Sequence, residues 1–180
     1  MLAPKIKQSV IDHYSELFLK HGSSPGATQA SAEGQLIRFE QLSKVADLSG
    51  KKVLDLGCGI ADFYPFLQKQ VGNVEYTGID IVPAMIDYAR QKYSTAKFQC
   101  RDIIEQPLDE EYDFVFISTV FNNAILAGTG FLESMLQAAF ERARLALSFN
   151  FTSTRVNYVD DSMAYYDPVE VLEFCISNLM

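Results

Sequence analysis

Between Pro4 and about Lys20, apolar Ile6, Val10, Ile11, Tyr14, Leu17 and Phe18 recur at three- and four-residue intervals, and Gly22 supplies a stop. That spacing predicts an amphipathic helix. The stretch HGSSPGATQAS, residues 21–31, is turn chemistry, after which Ser31 can cap a second helix whose Leu36, Ile37, Phe39, Leu42 and Val45 need a covering partner. Ser49-Gly50 closes this helical preface. From Lys51 onward short apolar strands alternate with helical stretches, the pattern of an α/β domain with a mostly parallel sheet. Strands are expected at 52–56, 75–79, 96–100, 113–118 and 144–151, and helices at about 62–70, 83–92 and 131–142. No clear helix follows the third strand. A last helix has a sharp start, with Asp167 as cap, Pro168 at its first position and Glu170 able to complete a capping box.

The fold class is therefore α/β: a doubly wound, mostly parallel sheet behind an amino-terminal helical preface. At 180 residues a single domain is the expectation, with 1–50 as preface or lid and 51–180 as the α/β core. A helix such as the last normally delivers another strand, so we expect a missing carboxy-terminal segment.

Composition narrows the function. Hydrophobic residues make up 48% and charged residues 21%, a globular balance. The net charge of −8 argues against nucleic acid and anionic membranes as partners. Cys58, Cys100 and Cys175 form no short-spaced pair, so no metal site is expected and a reduced, cytoplasmic setting fits. The amino terminus mixes charges into its apolar residues, unlike a signal peptide, and no apolar run is long enough to span a bilayer.

The sharpest motif is VLDLGCGIADF, residues 53–63, a strand running into glycines and then into a helix opening near Asp62. A ligand lying across the strand's carboxyl end must approach the main chain closely, which Gly57 and Gly59 permit, with backbone N–H groups then pointing outward. By itself such a turn is equally a tight strand-to-helix connection. TGID ends the next strand with Asp80, which can accept hydrogen bonds from both ribose hydroxyls of an adenosine or, more plainly, cap the helix at Pro83. Both adenosine cofactors remain open at this point. The dinucleotide pattern wants a small residue three after Gly59, whereas Asp62 would set a carboxylate against a pyrophosphate, which argues against NAD or FAD. S-adenosylmethionine has no phosphate and carries positive sulfonium and ammonium groups, so acids near the turn help it.

Over roughly residues 51–151 the chain resembles the class I S-adenosylmethionine-dependent methyltransferases, whose fold is Rossmann-like. VLDLGCGIADF is similar to the family's first motif, which implies Asp55, Gly57 and Gly59 at the cofactor's methionine portion. Cys58 would pack beneath the cofactor, and Ala61 stands where the family often has a third glycine. GID resembles the second motif, implying Asp80 on the ribose with Ile81 beside it. CRDI, residues 100–103, resembles the third, implying Asp102 near the adenine amino group and Ile103 against the ring. YDFVFISTVFN, residues 112–122, resembles the fourth strand and its exit, where Ser118 and Thr119 would face the cofactor. The preface resembles a bacterial subgroup of small methyltransferases, which implies Tyr14, Gln35 and Arg38 at the border of the cofactor pocket. The family's final β-hairpin is not seen.

Methyl transfer from a sulfonium demands no unique catalytic residue. Candidate groups are His13, Tyr14, Asn122, Asn123, Tyr165 and Tyr166, each with a plainer duty: His13 as a solvent-exposed helix residue, the tyrosines as packing, the asparagines as a turn. The fourth-strand exit lacks the Asn-Pro-Pro-Tyr string of amino-methylating enzymes of this superfamily. A small or medium organic acceptor is expected, held between the preface and the exits of strands four and five. The alternatives are a catalytically silent, methyltransferase-like scaffold, whose uncovered sheet edge could make a homodimer, and an NAD-binding oxidoreductase.

Overall fold

The structure is a computed structural model that describes residues 2–28 and 31–180. Of the turn segment 21–31, Gln29 and Ala30 lie outside the described residues. Helix α1 (Pro4–His21), a short 3-10 turn (Pro25–Thr28) and α2 (Ala32–Ser43) form the preface. Ser31 caps α2 as expected, its hydroxyl accepting from the Gly34 N–H at 3.1 Å. The core then alternates: β1 (Lys52–Leu56), α3 (Phe63–Gln70), β2 (Glu75–Asp80), α4 (Pro83–Lys92), β3 (Lys97–Cys100), β4 (Tyr112–Ile117), α5 (Phe131–Phe140), β5 (Ala143–Phe149), α6 (Pro168–Asn178). Residues 101–111 join β3 to β4 without a helix. Strand β5 stops at Phe149, earlier than its alternating pattern suggests; just beyond it the Asn150 N–H still donates to the Ile117 carbonyl while its side chain accepts from the Thr119 N–H at 2.8 Å.

All strand pairs are parallel, in the order β3-β2-β1-β4-β5. The order reverses at β1, which lies between β2 and β4. A crevice therefore opens outside their carboxyl ends, the place where open α/β sheets bind ligands. Period-two alternation sorts the side chains: Val53, Phe114 and Phe116 pack with α2, α3 and α4, while Leu54, Leu56, Val115 and Ile117 pack with α5 and α6. Asp55 points to the same face as Val53 but sits one step nearer the crevice. Helix α1 belongs to neither layer. Its Val10 and Tyr14 join small clusters with Ile60, Ile81, Val82 and Leu126 at the carboxyl rim, so it lies across the crevice.

Candidate functional site

The turn after β1 is built on positive backbone φ angles at Gly57 (71°), Gly59 (54°) and Ala61 (62°). A Cβ on Gly57 would stand 2.2 Å from a Val120 methyl, so glycine is required there by a neighbouring side chain as well as by its conformation. The outward-pointing N–H groups expected from sequence are not what forms. Gly57 and Cys58 both donate to the Ile79 carbonyl, at 2.7 and 3.1 Å, and Gly59 donates to Asp80 at 2.8 Å. Strand β2 lies close enough to absorb these three donors, so they are not free for an anion.

Asp80 joins the two motifs. Its Oδ2 accepts from Gly59, and its Oδ1 accepts from the Val82 N–H at 2.9 Å, which closes a turn ahead of α4; the N-cap itself is Val82, without a side-chain cap, so Asp80 is not the helix cap that the sequence suggested. A carboxylate can accept about four hydrogen bonds, which leaves capacity for a ligand. Burial raises its pKa against the pull of these backbone bonds.

Two cavities flank the turn. The larger, open at its mouth, has Gly59, Asp80, Ile81, Asp102 and Ile103 along its wall and Tyr14 from α1 above. The smaller is bounded by Gln35, Asp55, Cys58 and Asp62. Gly57, Ser118 and Thr119 line both. Thr119 has a φ of 62°, a strained setting for a β-branched residue, and is held by the Asn150 bond and by its own hydroxyl on the Ser118 carbonyl at 2.6 Å.

The smaller cavity is acidic in composition yet poorly solvated. Asp55 is buried, receives a hydrogen bond from the Tyr76 hydroxyl, and is pushed up to about 7 by burial. Burial also raises Asp62, against the Gln35 amide that donates to it at 3.3 Å. Neither acid is in a salt bridge among the described residues, although Lys92 is near enough to Asp62 to pull against its burial, and a positively charged ligand would supply a partner. Cys58 is buried with its thiol pushed well up by burial, which suits packing and not nucleophilic attack.

Two predicted residues line neither cavity. Ala61 is fully buried behind the turn. Arg38 lies half-buried one helical turn beyond Gln35, its Nε without a hydrogen-bond partner among the described residues. Burial lowers its pKa. His13 is half-buried with an unpartnered Nε2, and so departs from the exposed position expected of it. Asn123 caps the 3-10 turn Ala124–Leu126 by accepting from the Ile125 N–H. Tyr166 donates to the Phe121 carbonyl and Tyr165 accepts from the Asp160 N–H, both structural duties. Sequence reasoning missed Leu2 and Val10 of the preface, Val120 against Gly57, and Asn150 beneath Thr119. Only Val10 carried a signal, being one turn before Tyr14 on α1.

The site thus combines a parallel sheet reversing at β1, a glycine turn whose Gly57, Cys58 and Gly59 N–H groups are already taken, and acids on both sides of it. Residues 53–127 match the methyltransferase domain family. Malonyl-[acyl-carrier protein] O-methyltransferase of Acetivibrio thermocellus is 36% identical over 97 residues, 51% of this chain and 34% of that protein's length. The chain thus spans about a third of that relative. Among solved structures, magnesium protoporphyrin IX methyltransferase of Synechocystis shares the fold with a TM-score of 0.71 at 20% identity, covering 99% of this chain and 88% of that one. DhpI in complex with S-adenosylhomocysteine shares it with a TM-score of 0.73 at 15% identity, covering 98% and 88%. The family match thus falls on residues 53–127, and over nearly the whole chain the solved structures share the fold. Among the described residues no helix is long and apolar enough to cross a membrane.

Proposed function

We propose that this chain binds S-adenosylmethionine across the Gly57–Gly59 turn and transfers its methyl group to a small or medium organic acceptor. The observation that carries this is the meeting of two cavities at Gly57, Ser118 and Thr119, one walled by Asp80 and Asp102 and the other by Asp55 and Asp62. That division matches a nucleoside joined to a cationic amino acid. Bound there, the cofactor supplies a methyl group already activated on a sulfonium.

The protein's own work is to bind and orient. Asp80 accepts from the ribose hydroxyls and Asp102 from the adenine amino group, with Ile81 and Ile103 as apolar neighbours and Tyr14 above. Asp55 and Asp62 meet the positive groups, and Arg38 is available for the carboxylate end. Ser118 and Thr119 form the wall where the halves join. Ala61 and Cys58 support the turn from below. The helical preface, residues 1–50, serves as a lid on the core, 51–180, within one domain, and excludes water from the crevice. The acceptor enters between this lid and the exits of β4 and β5. A net charge of −8 favours a small molecule over nucleic acid, and three free cysteines suit a cytoplasmic setting.

Transfer of tritium from methyl-labelled S-adenosylmethionine to a panel of phenols, thiols, amines and carboxylic acids tests the activity. Label in an acceptor supports it; none across the panel, with the cofactor bound, would favour a silent scaffold. That second reading has its own support in β5, an edge strand with Leu145 60% exposed, along which a second copy could lie. Light scattering that shows a monomer removes the dimer.

A further inference from the structure

Helix α1 bears one ion-paired side chain among the described residues, Lys7, and it reaches the core. Its Nζ lies 2.8 Å from Asp102 Oδ2 and 2.5 Å from Glu105 Oε2. Lys7, Val10 and Tyr14 stand three and four residues apart and share one face of the helix. Val10 and Tyr14 line the larger cavity and so does Asp102, so the ion pair closes the same wall that the apolar residues roof. The three side chains are sheltered, with exposures of 21% for Lys7, 13% for Asp102 and 32% for Glu105, which spares the pair part of the screening felt at an open surface.

Asp102 is held at both oxygens. Oδ1 accepts from the Ile104 N–H at 3.0 Å while Oδ2 takes the ammonium. Two carboxylates share one cation, so negative charge is left over, and the remaining lone pairs of Asp102 stay available to a donor in the cavity.

We propose that Lys7 is a positioning residue for the adenosyl group, acting through Asp102: its ammonium fixes that carboxylate at the cavity wall and pins α1 over the nucleoside. The inference rests on the cofactor reading above. It makes nucleoside affinity depend on a charge in the preface, well outside the glycine turn, and links release to the breaking of one ion pair.

The test is a double-mutant cycle read by calorimetry with S-adenosylhomocysteine. Lys7→Met should weaken binding about fivefold alone and change it by no more than about twofold when Asp102→Asn is already present. Lys7→Arg, which keeps the charge, should restore most of the loss. Melting temperatures measured alongside identify a variant that merely loosens the helix. An equal penalty with and without Asp102, or none at all, overturns the proposal while leaving the cofactor reading in place. Failure of the unmodified protein to bind S-adenosylhomocysteine overturns both.

Discussion

The Gly59 N–H donates to Asp80 Oδ2 at 2.8 Å, so the glycine turn after β1 and the acid ending β2 form one rigid unit. The acid that would hold a ribose is therefore the same group that consumes a turn donor a phosphate would otherwise take. Asp80→Ala should weaken S-adenosylhomocysteine binding by about 1.5–3 kcal/mol, the range for hydrogen bonds to a charged group. Because Gly59 and Val82 also lose their acceptor, the melting temperature should fall too. Asp80→Asn, which keeps a carbonyl acceptor, should recover stability more fully than affinity. Calorimetry and thermal unfolding separate the two effects.

Asp55 gives the site a pH dependence. Its carboxyl is pushed up to about 7 by burial, against an unfolded value of about 3.9. The neutral acid is favoured in the folded protein, so this stabilising contribution is complete below about pH 4 and is lost as pH rises through 7. Burial raises Asp62 and Asp80 in the same sense. Denaturant unfolding should show stability falling between pH 4 and 7. Asp55→Asn should flatten that slope, leaving the part due to Asp62 and Asp80.

The turn contains one residue that fits and one that does not. Gly57→Ala places a methyl against Val120 in a backbone conformation unfavourable to side chains, and should cost more than about 2 kcal/mol. Ala61 already occupies that region at a φ of 62°, so Ala61→Gly should relieve about 1 kcal/mol of strain. Urea midpoints of the two variants should move in opposite directions. A lower midpoint for Ala61→Gly would show that its buried methyl matters more than its φ.

Much of this was legible in the sequence, because strand alternation and helix punctuation are local. The run Val53 to Leu56, Pro83 at the start of α4 and Asp167 before α6 each declare an element within a few residues. The meeting of the two motifs was legible for the same reason: Gly57, Gly59 and Asp80 stand at strand ends, where topology brings them together. What escaped was tertiary. Nothing local in Asn150 says that its side chain will hold the Thr119 N–H, and the spending of the turn's donors depends on how close Ile79 runs. Nothing local in Lys7 says that residues 101–111 bring Asp102 and Glu105 beside α1. His13 misled for a similar reason, since its burial is decided by what α1 lies across.

The most direct measurement is parallel calorimetric titration of the unmodified protein with S-adenosylhomocysteine, S-adenosylmethionine and NAD at neutral pH. Saturable binding of both sulfur nucleosides is expected, and none of NAD. Binding of NAD, with no heat from either sulfur compound, would contradict it.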